Sequence, residues 1–140
     1  MTWEGRWAKV HSLPAIEGVL RSEGREMARV VRCSLIQAKN EVPPGLDGNG
    51  ATLGEIKRAM VDKHVGMIRQ AAGDGAQIVC LQEIFYGPYF CAEQTTRWYD
   101  STEAVPGGPT VQLMMGLAKE LEVALIVPVY EVEEEGIFYN

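Results

Sequence analysis

The sequence predicts an α/β fold in which parallel strands alternate with helices. Residues 78–81 are a short run of β-forming residues, apolar on both faces, which suits a strand of a covered sheet. Residues 30–37 are rich in β-branched side chains and are also predicted to form a strand. Residues 53–72 lie between these runs and carry apolar side chains at helical spacing. Because a helix joins the two strands, we expect them to lie parallel, with residues 30–37 forming a central strand.

A second helix and a third strand are expected to continue this alternation. Gly107-Gly108-Pro109 opens the helix with proline in its first turn, and apolar side chains as far as Leu121 give it one buried face. Residues 123–130 are predicted to form the third strand, in which Pro128 indicates a sheet edge or a bulge. A β-hairpin that has just begun its second strand is expected over residues 131–140.

Four carboxylates precede the turn of that hairpin, and two roles are open to them. They are Glu131, Glu133, Glu134 and Glu135. A metal site is one interpretation, because carboxylate oxygens bind hard cations. We favour a solvated turn, since nothing in the sequence makes the four side chains converge. No metal site is therefore predicted.

The first part of the chain is assigned to a separate N-terminal leader or arm, residues 1–29, and the rest to one domain, residues 30–140. Trp3, Trp7 and Val10 recur at helical spacing, and Pro14 interrupts the apolar residues that follow. This pattern predicts one or two short helices. The leader either packs on another subunit or domain or is loosely docked.

The composition excludes several classes of partner. The 140 residues include 13 basic and 19 acidic side chains, a net charge of -6, which argues against nucleic acid and against an anionic membrane surface. No apolar run approaches the roughly 18 residues of a membrane span. Since no signal-peptide pattern is present either, we expect a cytoplasmic protein.

Glu83 is the candidate catalytic residue, because Gln82 and Glu83 follow the predicted strand 78–81 at its C-terminal end. Carboxyl ends of strands in α/β sheets are where such folds place their chemistry. Gly87-Pro88 then breaks the chain into a loop rich in aromatic side chains, namely Phe85, Tyr86, Tyr89 and Phe90. A carboxylate desolvated beneath that loop would serve as a general base near neutral pH. The alternative is a solvated strand-end carboxylate that acts as a cap or an ion-pair partner.

The histidine and cysteine side chains are predicted not to be catalytic. His64 lies beside the apolar stripe of the first helix, so we assign it a structural role. Cys33 and Cys80 fall in predicted strands, where we expect small buried side chains. Cys91 lies in the aromatic loop. No CxxC pair indicates a disulfide framework or zinc site, and neither GxxxxGK[ST] nor GxGxxG indicates nucleotide binding.

Several segments together resemble the N-terminal part of a carbon-nitrogen hydrolase of the nitrilase superfamily, and most of all its β-ureidopropionase branch. They are VVRCSLIQ, QIVCLQEIFYGPYFC, VPGGPTVQLMMGLAKELEVALIVPVYE and GIFYN, with the helix that ends in AAGDGA. The resemblance covers residues 30–140. Its most specific piece is LQE with the following YGPYF loop.

This resemblance implies a four-layer α-β-β-α sandwich of which the chain supplies the N-terminal half. The family uses a glutamate, a lysine and a cysteine, and the glutamate matches Glu83 as the general base that activates the thiol and later the hydrolytic water. The lysine comes after the FYN strand, and the cysteine comes later still, on a strand-to-helix elbow. The implied substrate is a small amide or an N-carbamoyl amino acid, and no cofactor is implied.

The resemblance also implies that domain 30–140 is truncated, since the family's lysine and cysteine positions have no counterpart in this sequence. A partial gene model, a split gene with a complementing C-terminal half, and a non-catalytic remnant that associates with other subunits are three explanations. The chain alone is accordingly expected not to hydrolyse amides, and to form homo-oligomers or to join a complementing half. The alternative function is a non-enzymatic α/β interaction domain that associates through an exposed sheet edge.

Overall fold

The computed structural model of the chain describes residues 8–12, 16–22, 25–41, 51–87, 96–134 and 136–139. The strands are β1 (Ala8–Ser12), β2 (Ile16–Ser22), β3 (Arg25–Val31), β4 (Cys33–Ala38), β5 (Ile78–Leu81), β6 (Ala124–Ile126), β7 (Glu131–Glu134) and β8 (Ile137–Tyr139). The helices are α1 (Leu53–Gly73), α2 (Pro109–Leu121) and the 3-10 helix Arg97–Ser101.

A four-stranded sheet in the order β1-β4-β5-β6 is the frame of the described part of the chain. Strands β4, β5 and β6 run parallel, and Leu35 pairs with Cys80 while Val79 pairs with Leu125. Strand β1 lies antiparallel to β4 at one edge. The predicted α/β fold, with parallel strands joined by helices and with β4 inside the sheet, is confirmed.

Local sequence signals explain where both helices begin. Thr52 caps α1, because the Glu55 amide donates to its hydroxyl at 3.3 Å while the Thr52 amide donates to the Glu55 carboxylate at 2.7 Å. Pro109 begins α2 in its first turn, where the missing amide proton costs no hydrogen bond. Both predicted helices are confirmed. Among the described residues, no helix is both long and apolar enough to cross a membrane.

The core lies on one face of the sheet, beneath α1 and α2. It combines side chains from the strands and from both helices, including Ile36, Val79, Leu81, Met60, Ile68, Met114 and Leu117. By strand alternation, the opposite face carries Leu35, Cys80 and Ile126. Leu35 and Ile126 are exposed there. The described chain therefore forms two layers with one apolar sheet face uncovered.

The predicted helices of the leader are wrong where the structure describes it, because β1, β2 and β3 occupy that part of the chain. β2 and β3 form an antiparallel hairpin in which Leu20 lies opposite Met27. Val10, which contributed to the helical spacing, pairs with Ile36 in the sheet. Backbone pairing with distant residues overrides a weak local period. Trp3, Trp7 and Pro14 lie outside the described residues.

Two predicted strands have different bounds in the structure. The predicted strand 30–37 is divided at Arg32, because its carbonyl accepts from the Gln77 amide at 2.8 Å and its amide donates to the Gln77 side chain at 3.2 Å. These contacts take Arg32 out of the ladder. The predicted strand 123–130 is shorter, since β6 ends at Ile126. Its predicted edge position is confirmed by the order of the described strands.

The expected burial of several sulfur-containing side chains is wrong. Cys33 and Cys80 are only half-buried, because strand alternation turns both toward the uncovered face of the sheet. Methionines at positions 114 and 115 of the predicted helix are expected to fill the core, but only Met114 lies there, and Met115 is exposed on the outer side of α2. Cys91 lies outside the described residues.

The assignment of the two sheet faces is tested by neighbouring residues of β4. Ile36 is 2% exposed and Leu35 is 41% exposed. We expect Ile36→Ala to lower the free energy of unfolding by about 2–5 kcal/mol, because it leaves a cavity in the core. Leu35→Ala, the matched control, should cost less than about 1 kcal/mol. Urea unfolding of the 140-residue chain measures both values, and equal losses would contradict this assignment.

His64 lies in the core, in agreement with its predicted structural role. Its Nδ1 donates to the Met60 carbonyl at 2.8 Å, and its ring meets the edge of Phe85 with centroids 5.0 Å apart. Nε2 has no hydrogen-bond partner among the described residues. Burial lowers the pKa of the imidazole, because a charged ring would be poorly solvated there. The neutral ring is therefore the form that stabilises the fold.

Acidification should destabilise the chain through His64. The unfolded imidazole binds its proton at about pH 6.5, whereas the folded one binds it at lower pH. The free energy of unfolding should therefore be highest above pH 6.5 and fall as the pH drops below it, by at most about 1.4 kcal/mol per pH unit. Urea titrations of the parent and of His64→Gln between pH 7.5 and 5 measure the difference. Parallel curves for the two proteins would contradict the prediction.

Candidate active site

Glu83 lies where the sequence predicts it, immediately after β5 at the carboxyl end of the parallel strands. It begins a turn that runs to Tyr86, and the Gly87 amide closes that turn on the Ile84 carbonyl at 3.3 Å. The expected desolvation of the carboxylate is not found, because the Glu83 side chain is exposed in this chain. The Glu83 carboxylate is therefore solvated in this chain, as the alternative interpretation expects. The catalytic role of Glu83 stays a prediction.

Gln82 holds the end of β5 against the end of β4. Its side-chain carbonyl accepts a hydrogen bond from the Ala38 amide at 2.5 Å. This bond satisfies a backbone donor at the point where the ladder between β4 and β5 stops. The residue that precedes Glu83 is thus anchored to the neighbouring strand.

Ile84 follows Glu83 in a strained backbone conformation. Its φ is 48°, in the left-handed region that a β-branched residue rarely adopts. Such a conformation costs on the order of 1–3 kcal/mol and is kept only where the surroundings enforce it. Burial of the Ile84 side chain provides that enforcement. Strain of this kind occurs at functional sites, so it marks the turn as more than a simple connection.

The aromatic residues after Glu83 have a different role from the expected cover over the carboxylate. Phe85 and Tyr86 are both buried in the core, with ring centroids 5.3 Å apart in an edge-to-face arrangement. They anchor the turn from below and leave Glu83 exposed above it. Tyr89 and Phe90 lie outside the described residues.

The Tyr86 hydroxyl ties this turn to the segment after β6. It accepts a hydrogen bond from the Tyr130 amide at 2.6 Å and donates one to the Tyr130 carbonyl at 3.3 Å. Burial is the main reason that the pKa of the phenol rises to about 12. Tyr86 therefore stays protonated at neutral pH, as the bond to the carbonyl requires.

Lys57 and Glu103 form an ion pair beside Tyr86. The Lys57 Nζ lies 2.5 Å from the Glu103 carboxylate, donates to the Ser101 carbonyl at 2.8 Å, and sits 4.3 Å from the centre of the Tyr86 ring. The last contact is a cation–π interaction. Glu103 is buried and Lys57 is half-buried, so removing Lys57 would leave a buried charge largely uncompensated.

Glu103 also caps the start of α2. The Thr110 amide donates to Oε2 at 2.8 Å and the Thr110 hydroxyl to Oε1 at 2.5 Å. Burial opposes ionisation of Glu103, but hydrogen bonds from Lys57 and Thr110 outweigh it, so the pKa of this carboxyl is lowered. Glu103 is therefore an ionised side chain that is only 6% exposed.

The sequence does not indicate this pair. Its polar composition over residues 93–105 predicts a surface excursion, which is wrong for Trp98 and Glu103, because both are buried. The available signal was a carboxylate a few residues before the proline that begins a helix, since acidic groups are favourable at helix N-termini. Nothing in the sequence links that carboxylate to Lys57, which lies 46 positions earlier in the chain.

An open groove of about 730 Å³ lies next to the pair, between the first half of α1 and the start of α2. Lys57, Glu103, Thr110 and Leu113 are among its lining residues, and Glu83 is not. The groove is thus separate from the strand end where the chemistry was predicted. Its position on the helix side is explained by the packing of the two helices.

The acidic side chains of the predicted hairpin are exposed or half-buried where the structure describes them. Glu133 and Glu134 are exposed on β7, Glu131 is half-buried, and Glu135 lies outside the described residues. Across the described ranges, no three histidine, cysteine, aspartate or glutamate side chains are grouped so that they would hold a metal ion.

Comparison with known proteins agrees with the resemblance found in the sequence. Residues 54–140 match the family profile described as carbon-nitrogen hydrolase. An N-carbamoylputrescine amidase of Oryza sativa subsp. japonica is 37% identical over 86 residues, which are 61% of this chain and 28% of that protein. An omega-amidase NIT2-B of Xenopus laevis is 36% identical over 85 residues, 61% of this chain and 29% of that protein.

A beta-ureidopropionase of Arabidopsis thaliana is 31% identical over 103 residues, 74% of this chain and 24% of that protein. The chain thus spans about a quarter of the length of these relatives. The matched region begins in α1 and includes β5, Glu83, α2 and the hairpin of β7 and β8. Since the family profile covers more than half of the sequence, this chain belongs to the carbon-nitrogen hydrolase family.

Proposed function

We propose that this chain supplies the N-terminal part of a hydrolase that cleaves non-peptide carbon–nitrogen bonds, with Glu83 as its general base. The position of Glu83 carries the proposal, because it lies at the carboxyl end of an inner parallel strand and within the family match. The strained residue that follows it supports the same assignment.

The proposed chemistry needs groups that the resemblance assigns to sequence after the FYN strand. Glu83 would take the proton of a cysteine thiol as its sulfur attacks the carbonyl carbon of the substrate. A lysine would stabilise the oxyanion, and the amine or ammonia would leave with a proton. Glu83 would then activate water to hydrolyse the thioester. A covering segment would exclude water from the exposed carboxylate and make it a stronger base.

The uncovered sheet face supports a second sheet as the missing partner. Leu35 and Ile126 are exposed apolar side chains on that face, while the other face is covered by helices. A second sheet packed there would bury them and produce the four-layer α-β-β-α sandwich. A complementing C-terminal half is the proposed source. The same face favours association between chains, which is the alternative, non-enzymatic function.

The proposed substrates are a small amide or an N-carbamoyl compound. The relatives include an N-carbamoylputrescine amidase, an omega-amidase and a beta-ureidopropionase. These names indicate different substrates, while the family description, carbon-nitrogen hydrolase, gives the common reaction class. We therefore propose the reaction class and test it with N-carbamoylputrescine and N-carbamoyl-β-alanine.

The catalytic role of Glu83 is tested in the chain joined to a C-terminal half from a family member. Glu83→Gln keeps the size of the side chain but removes the base, so kcat/KM should fall by roughly 10²- to 10⁴-fold. Ammonia release from the two substrates measures the rate. Glu133→Gln, which alters an exposed carboxylate on β7, is the matched control and should leave the rate within about threefold of the parent.

Activity of Glu83→Gln close to that of the parent would exclude Glu83 as the base. Circular dichroism of each variant confirms that a loss of rate is not a loss of fold.

A further inference from the structure

We propose that Lys57 and Glu103 are positioning residues, which direct the Glu83 carboxylate by fixing the turn that begins at Glu83. This inference rests on the proposed function, because the direction of Glu83 matters to a reaction only if Glu83 is the base. The two residues act through Tyr86, whose ring lies under the Lys57 ammonium.

A closed ring of contacts joins four residues through side-chain and backbone atoms, namely Lys57, Glu103, Tyr130 and Tyr86. Lys57 pairs with Glu103 at 2.5 Å, and the Glu103 amide donates to the Tyr130 carbonyl at 3.0 Å. The Tyr86 hydroxyl donates to that same carbonyl at 3.3 Å, and Lys57 lies 4.3 Å above the Tyr86 ring. The ring joins α1, the turn after β5, the segment before α2 and the segment after β6.

This ring connects directly to Glu83 along the backbone. Tyr86 is the last residue of the turn that begins at Glu83, and Gln82 is bonded to the end of β4 on the other side. Ile84 holds a left-handed conformation between these two anchors. The backbone of the turn sets the position of the Glu83 Cα and the direction in which its side chain leaves the chain. Releasing Tyr86 would therefore displace the backbone from which the carboxylate extends.

The positive charge of Lys57 is the specific requirement. A cation over an aromatic face is attracted by the ring quadrupole, and a neutral side chain of equal length is not. Lys57→Met keeps the length of the side chain but removes both the ion pair and the cation–π contact. Glu103→Gln keeps an acceptor for Thr110. Combining the two changes removes both charges of the pair, so the double variant should recover stability without restoring the cation–π contact with Tyr86.

The test uses the 140-residue chain joined to a family C-terminal half, with kcat and KM measured separately. In Lys57→Met, kcat should fall roughly 10- to 100-fold, because a displacement of about 1 Å can reduce a rate 10²-fold. KM should stay within about threefold of the parent, since substrate contacts are kept. Lys57→Arg, which keeps the cation, should recover most of kcat.

Arg69→Met is the matched control, because Arg69 lies on the same helix and forms an exposed ion pair with Glu120 at 2.5 Å. Its kcat should stay within about threefold of the parent. The double variant should regain the thermal midpoint of the parent but not its kcat. If kcat recovers together with the thermal midpoint, or if Lys57→Met keeps kcat within about threefold, the pair is merely structural and the proposal is overturned.

A second measurement on the 140-residue chain alone separates this proposal from the proposed function. The Gly87 amide closes the turn on the Ile84 carbonyl, so its hydrogen exchange reports the turn. Exchange at Gly87 should be at least about tenfold faster in Lys57→Met and unchanged in Arg69→Met. Unchanged exchange in Lys57→Met overturns the proposal whatever the activity. Faster exchange together with an active Glu83→Gln enzyme would reject the proposed function and leave the fixing of the turn intact.

Discussion

The ion pair between Lys57 and Glu103 is the contact on which the arrangement around the candidate site depends. It joins the first helix to the start of the second, because Glu103 also accepts two hydrogen bonds from Thr110. It reaches the turn after β5 through the Tyr86 ring. Glu103 is buried while Lys57 is half-buried, and hydrogen bonds with Ser101 and Thr110 further stabilise the pair. The ion pair thus contacts both the start of α2, through Thr110, and the turn after β5, through Tyr86.

The two faces of the sheet differ in what covers them. Helices α1 and α2 cover Ile36 and Val79, while the opposite face exposes Leu35 and Ile126. The candidate base lies at the strand end, above buried aromatic anchors and open to solvent. In the proposed enzyme, a second sheet packed on this face would bury these apolar side chains.

Local patterns were sufficient to predict the sheet, its helices and the position of Glu83. Helices α1 and α2 carry apolar side chains at helical spacing and clear end signals, and β5 is a short apolar run that is followed by a turn. The division of the first strand at Arg32 and the strands before it depend on pairing with distant residues, which no local pattern contains. Glu103 was missed for the same reason, since its partner Lys57 is brought to it only by folding. The sequence left open whether Glu83 is covered or solvated, because only the fold shows that Phe85 and Tyr86 pack in the core and do not cover the carboxylate.

We propose that Glu83 is the carboxylate that faces the reacting cysteine thiol when the chain is joined to a C-terminal half. A crystal structure of the chain joined to a family C-terminal half tests it most directly, through the distance between the Glu83 carboxylate and the sulfur of the nucleophilic cysteine. The account predicts hydrogen-bond reach, about 3 Å, or contact through one water. A structure in which a different carboxylate contacts the sulfur, and Glu83 lies beyond hydrogen-bond reach of it, would contradict this proposal.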